Sequence, residues 1–253
     1  MRSVDPLCRV MAEKGFSLIP GVFTSAQVDF MCCGLDAAFQ AQAEAVAIRS
    51  EAGSIYAARN VLSFWPDAAA VWHQDPLPLV LTAVLGKGYG LVRTLFFDKP
   101  PERTWARPWH KDMTIAVCNN RLPSQAFARP TLKAGVPHVE ALTEVLEQMT
   151  TMRIHLDDVT EENGPLKVIP GSHRSGKELH LGDTAPQSIL CRRGDVLIMR
   201  PLLAHSSGHS DAETVRHRRI VHLEFAGSTA LPDGYSWYDF RPGPGVSTIP
   251  PGG

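Results

Sequence analysis

The segment Arg218-Arg219-Ile220-Val221-His222-Leu223-Glu224-Phe225 decides how the chain folds. In an extended strand successive side chains point to opposite faces. Arg218, Ile220, His222 and Glu224 therefore share one face, and Arg219, Val221, Leu223 and Phe225 share the other. The second face is apolar from Val221 onward and belongs against a covering layer, which leaves the ionisable face for an enclosed cavity. A strand of this kind is built for a β-sandwich or barrel with a polar interior, and the rest of the chain agrees with it. Leu91 to Phe97, Thr114 to Cys118, Met152 to Asp158, Leu166 to Ile169 and Val196 to Met199 are short β-branched or aromatic runs bounded by Gly, Pro and Asn. Asn163-Gly164-Pro165 is a strong turn signal between two of them.

Helical periodicity is concentrated before these strands. After an extended Gly15 to Phe23, Ser25 caps a helix on which Val28, Met31, Leu35 and Phe39 recur at steps of three and four. Leu77 to Leu85 forms a second helix closed by Gly86, and the spacing of Val139, Leu142, Leu146 and Met149 predicts a third. Asn119 to Pro137, polar and broken by prolines, reads as a long loop of the kind that forms lids. The tail from Arg241 to Gly253 reads as irregular. Helices first and short strands afterwards predict a mainly β antiparallel sandwich or jelly roll, covered by N-terminal and inserted helices, in a single domain over residues 1–253.

Composition narrows the class of partner. A net charge of -1 over 253 residues provides no field that gathers nucleic acid or an anionic membrane, so the expected partner is a small molecule. The five cysteines are odd in number and lack metal-type spacing. Neither the first residues nor any later segment reads as a secretion signal or a membrane span, and the expected location is cytoplasmic. The oligomeric state is not legible.

Chemistry is concentrated in two places. In Pro108-Trp109-His110-Lys111-Asp112, the period of two puts His110 and Asp112 on one side, where both can reach one metal. A third donor must come from far along the chain. Among the ten histidines, His205 stands just past the apolar strand Val196 to Met199, within reach of a cavity mouth. His173 lies in a turn, and His209 and His217 are expected to be exposed. Two imidazoles and one carboxylate suit a mononuclear Fe(II) site with one face left open. Arg218 points to the same side as the metal, and a guanidinium fork is the natural anchor for a carboxylate. Arg216 has the same parity and is the runner-up. By parity Arg153 and His155 line the cavity with Asp157, and Trp109 stands beside His110 as a substrate contact.

The triplet His110-Lys111-Asp112, the run from Asn163-Gly164-Pro165-Leu166 to Ile169-Pro170-Gly171-Ser172-His173, and Gly194-Asp195-Val196 leading to His205 together resemble the phytanoyl-CoA dioxygenase superfamily over roughly residues 15–226. The resemblance implies a cupin-like double-stranded β-helix, Fe(II), and the co-substrates 2-oxoglutarate and dioxygen. It assigns His110, Asp112 and His205 as metal ligands, Arg218 as the 2-oxoglutarate arginine, and Ser207 as a hydroxyl that assists the same carboxylate. The implied activity is hydroxylation of a small-molecule metabolite with release of succinate and carbon dioxide. Presence of Asp112, where related halogenating enzymes lack the carboxylate, favours hydroxylation over halogenation. The alternative is a jelly-roll protein that binds metal without catalysis or without 2-oxoglutarate.

Overall fold

The computed structural model describes residues 4–42, 48–51 and 54–244. Its helices are α1 (Asp5–Lys14), α2 (Ser25–Ala41), α3 (Leu77–Leu85) and the single turn α4 (Thr143–Glu147). The strands are β1 (Phe16–Ile19), β2 (Ile48–Glu51), β3 (Ser54–Ala58), β4 (Gly90–Phe97), β5 (Arg107–His110), β6 (Thr114–Ala116), β7 (Phe127–Lys133) and β8 (Val136–Ala141), then β9 (Met149–His155), β10 (Leu166–Val168), β11 (Gln187–Ile189), β12 (Val196–Met199), β13 (His205–Ser207), β14 (Ile220–Ala226) and β15 (Arg241–Pro242).

They form three antiparallel sheets. The large sheet runs β1-β12-β9-β14-β4-β3-β2 with β15 on β4, a four-stranded sheet runs β11-β10-β13-β5, and a small sheet runs β6-β8-β7. This is a mainly β jelly roll in which the first two sheets face each other. The alternation on β14 sorts as the sequence dictates. Val221, Leu223 and Phe225 join Met152, Ile154, Val196 and Ile198 in one core cluster with Val28, Met31, Leu35 and Phe39 of α2. Each such side chain taken from water contributes roughly 1.5 to 3 kcal/mol. The opposite face of β12, through Leu197 and Met199, packs on Leu166 and Val168 of the four-stranded sheet. That contact fills one end of the space between the sheets and leaves a polar cavity at the other.

Several expectations are corrected. The α2 cap is Thr24 rather than Ser25, its hydroxyl and the Gln27 side chain forming a reciprocal capping box. The helix expected over Val139 to Met149 shrinks to α4, because Val139 lies on the buried strand β8 and Met149 opens β9. The expected loop from Asn119 to Pro137 contains β7 and the tight turn through Ala134 and Gly135, both at positive φ, and so forms a hairpin with β8. Arg241 and Pro242 of the expected irregular tail pair with Leu91 and Gly90 of β4; residues 245–253 lie outside the described residues. Among the described residues no helix is long and apolar enough to cross a membrane.

Candidate metal centre

The centre is built on the pairing of two strands that are remote in sequence. In the four-stranded sheet β13 lies beside β5 with His205 opposite His110, their ring centroids 4.2 Å apart. Asp112 follows two residues after His110, and its N–H donates to Pro201 O at 2.9 Å, which ties the segment to the chain leading into β13. Asp112 Oδ2 lies 3.6 Å from His205 Nε2 and Oδ1 lies 3.9 Å from His110 Nε2. One ligand atom from each of the three falls within 4.8 Å of the others.

The tautomers are set by the backbone. His110 Nδ1 lies 2.7 Å from Pro108 O and His205 Nδ1 lies 2.8 Å from Leu203 O. A carbonyl only accepts, so each Nδ1 carries the proton and each Nε2 presents a lone pair beside Asp112. This is how metal-binding imidazoles are oriented. Protonation is disfavoured in the same direction. Burial holds the His205 imidazole down to about 4, against the attraction of Asp112. Burial alone would raise the Asp112 carboxyl, but His205, His222, His110 and Arg93 outweigh it and hold it at about 2. Two neutral imidazoles and an ionised carboxylate in this arrangement fit a divalent iron with open coordination positions.

A cavity of about 120 Å³ opens over these ligands, between the two large sheets. From β4 it receives Arg93, Leu95 and Phe97, from β9 Arg153, and from β14 His222 and Glu224. Arg107, Trp105, Ser207 and Arg218 also line it. The register shift between His205 and Ser207 lets Arg107, three residues before His110, face the same side. Arg218 is 2% exposed, its N–H donates to Asp98 Oδ1 at 3.2 Å, and its Nε has no hydrogen-bond partner. Burial, and then Arg153, pull the Arg218 guanidinium down to about 9. Burial, Arg218 and Arg153 likewise pull the neighbouring Lys99 ammonium down to about 7. Lys99 is held by the carbonyls of Gly164 and Gly208, with its Nζ 5.1 Å from the centre of the Trp105 ring. Three crowded cations and an unpartnered guanidinium N–H provide a receptor for a dianion.

Three residues expected in the site lie outside the cavity lining. Arg216 is more than half exposed and pairs with Glu162 at 2.7 Å; Arg218 alone of the two turns inward. Trp109 is excluded by the alternation that brings His110 in, and the tryptophan on the cavity is Trp105. His155 shares the parity of Arg153, but it ends β9, and its Nδ1 meets Asp195 O at 3.3 Å. Asp157, expected on the same face, pairs with Arg219 instead. His217 is half-buried rather than exposed and pairs with Asp98 at 2.8 Å. Glu224 lies on the cavity face expected for it, and it is joined there by an ion pair to Arg93, a residue outside the sequence expectation. A signal existed for Arg93, which is the single charge in the apolar strand β4.

Residues 11–218 match the model of the family described as phytanoyl-CoA dioxygenase. The chain belongs to that family. No curated protein matches it in sequence. Among solved structures it is similar to EctD from S. alaskensis, crystallised with 2-oxoglutarate and 5-hydroxyectoine, at 18% identity and a TM-score of 0.66, covering 88% of this chain and 76% of that one. It is similar to the non-heme alpha ketoglutarate dependent carbocyclase SnoK at 16% identity and a TM-score of 0.66, over 96% of this chain and 88% of that one. EvdMO1 gives 19% identity and a TM-score of 0.64 over 88% of this chain; the match spans 50% of that longer protein. At these identities the likeness is one of fold.

Proposed function

We propose that this chain is an Fe(II)- and 2-oxoglutarate-dependent dioxygenase that hydroxylates a small molecule and releases succinate and carbon dioxide. The observation that carries the reading is the coexistence, in one cavity, of the His110, Asp112 and His205 donors with the buried, unpartnered Nε of Arg218. In this reading His110, Asp112 and His205 hold iron, which supplies the activation of dioxygen when it is bound with the keto acid. Arg218 donates to the distal carboxylate of 2-oxoglutarate, with Ser207 and Arg153 on the same cavity and Lys99 behind them contributing charge. Desolvation strengthens that contact, since both partners are withdrawn from water. Leu95, Phe97 and Leu166 exclude water from the remaining wall. With iron bound, Asp112 would fill the place a halide would need, which favours hydroxylation over halogenation.

The test is anaerobic addition of 2-oxoglutarate to the Fe(II)-loaded protein, followed by optical spectroscopy. A weak visible charge-transfer band is expected, and Arg218→Ala should raise the 2-oxoglutarate requirement roughly ten- to a hundred-fold, as for loss of a charge-assisted contact. Absence of the band in the wild type would leave a metal-binding jelly roll that does not use the keto acid. With a substrate in hand, labelled dioxygen separates hydroxylation, which retains the label in the product, from ring formation or desaturation.

A further inference from the structure

The cavity has two charged ends, and only one of them is used by the keto acid. Along β14, Arg218 precedes the first paired residue, whereas His222 and Glu224 lie further on, facing Leu95 and Arg93 across the β4 ladder. At roughly 3.3 Å per residue, Glu224 stands near 20 Å of strand from Arg218. The metal ligands face the space between.

This second end carries its own unsatisfied groups. The Arg93 side chain is 10% exposed and the His222 side chain 4%, and both line the cavity. Arg93 is committed at two of its nitrogens, Nη2 to Glu224 and Nη1 to His138 Nε2 at 2.9 Å, while its Nε–H has no partner. His222 Nε2 stands 3.4 Å from Glu224 Oε1. The carboxylate can only accept there, so Nε2 carries a proton, and in the neutral ring the buried, partnerless Nδ1 is the acceptor. One orphan donor and one orphan acceptor thus belong to two side chains that line the same cavity. They sit on diagonally adjacent ladder positions, a separation of roughly 5 to 8 Å. A second cation stands near this end. Lys133, at the tip of the β7–β8 hairpin, makes its hydrogen bond to the hydroxyl of Thr114 at 2.8 Å and has no ion pair among the described residues. Burial and the Arg93 and Arg59 charges lower it to about 8, with Glu224 and Asp112 opposing.

A donor backed by excess positive charge asks for an anion. The adjacent lone pair asks for a neutral O–H, because an ammonium would be repelled by Arg93 and Lys133. We infer that the primary substrate is a hydroxycarboxylate, its carboxylate held by Arg93 Nε with Lys133 in support, and its neighbouring hydroxyl donating to His222 Nδ1. Because Nε is the one Arg93 nitrogen without a partner, the other two being turned to His138 and Glu224, a carboxylate fits this end better than a phosphate, which would leave more oxygens unmet. The inference rests on the proposed function in one respect, that the Arg218 end belongs to 2-oxoglutarate.

The experiment is calorimetric titration of the anaerobic, iron-loaded protein, with 2-oxoglutarate saturating, against a set of small 2- and 3-hydroxycarboxylates. Each is compared with its deoxy acid, its amino acid, its carboxamide and its phosphate counterpart. At least one hydroxycarboxylate should bind roughly tenfold or more above its carboxamide and several-fold above its deoxy acid, as for a charge-assisted and a neutral hydrogen bond. The double variant Arg93→Gln/Glu224→Gln, which removes the buried pair together, should abolish the preference over the carboxamide. Lys133→Gln, on a hairpin tip, should weaken every carboxylate several-fold without a folding defect. His222→Phe should erase the preference over the deoxy acid alone, a selectivity that a purely structural role would not move. No preference for acids over amides, unchanged preferences in these variants, or stronger binding by the amino acids or phosphates would overturn the inference. If the wild type fails to bind 2-oxoglutarate at all, the proposed function fails; if it binds the keto acid in an Arg218-dependent way but shows no hydroxycarboxylate preference, this inference fails alone.

Discussion

Each ligand imidazole is aimed by a carbonyl two residues before it, Pro108 for His110 and Leu203 for His205. The geometry is therefore local to each strand and survives loss of any one donor. His110→Ala, Asp112→Ala and His205→Ala should each keep the fold, lose ferrous affinity in equilibrium metal titration, and lower substrate-stimulated succinate release by more than roughly a hundredfold. Full activity in any of the three would remove that residue from the ligand set. Buried imidazoles elsewhere couple stability to pH. Burial, with Arg153 adding to it, holds His155 at about 3, and burial holds His138 at about 4, both against an ordinary value of 6.5. Folded-state values below unfolded ones mean that the unfolded chain takes up protons first. Stability is thus complete above about pH 7 and is lost as pH falls from about 6.5 toward 4, by about 2 kcal/mol per imidazole at pH 5. Denaturant midpoints of the metal-free protein at pH 7.5 and pH 5 should differ accordingly. His217, raised by its bond to Asp98, works in the opposite sense, and its exposure makes it minor.

At the scale of elements, Lys111 shows how a ligand strand is fixed. Flanked by His110 and Asp112, it points the other way and is buried, and its ammonium donates to Ser172 O at 2.8 Å, Ser175 Oγ at 2.8 Å and Gly176 O at 2.6 Å. Lys111→Met should cost about 2 to 3 kcal/mol in denaturant unfolding and weaken iron binding roughly tenfold, because the turn that braces the strand loses its partner. Unchanged metal affinity in a folded Lys111→Met protein would make the contact structural only. The turn before β12 is equally constrained. Gly194 has φ +89 and a Cβ there would lie 2.2 Å from Phe23 O, so Gly194→Ala should destabilise by more than about 2 kcal/mol and lower the midpoint of thermal unfolding. Elements were readable in the sequence to different degrees for a physical reason. Period-two alternation fixed β14 and the faces of His110 and Asp112, since one face meets apolar helices and the other a cavity. The run from Val139 to Met149 misled because its apolar spacing fits a helix, while its two ends belong to strands β8 and β9 of different sheets and only the turn between them, with Leu146, is helical. Arg218 was legible ahead of Arg216 by its place next to β14, whereas the presence of Arg107 and Trp105 on the cavity depended on a register shift and on the path of the chain before β5, which are tertiary facts.

For the whole molecule, the two facing sheets supply different things. The four-stranded sheet carries the ligands, and the larger one carries Arg93, Arg153, His222 and Glu224 opposite them. Any ligand that touches both sheets should therefore stabilise their contact. Iron with 2-oxoglutarate, each at about a hundred times its dissociation constant, should add about 2.7 kcal/mol per linked site, seen as a rise in thermal midpoint that a chelator reverses. A midpoint indifferent to chelator would mean that the loaded and empty proteins share one stability, contrary to linkage.

The register that sets His205 beside His110 also has a meaning in time. A ribosome releases the chain from its N-terminus, so His110 and Asp112 emerge long before their partner. Until the polypeptide has been extended past β13, only two of the three donors exist, and the sheet that would press them together lacks the strand between β10 and β5. An unfinished chain consequently offers iron a weak foothold and no shaped pocket. The three-donor site is thus assembled only once β13 has been made and set beside β5.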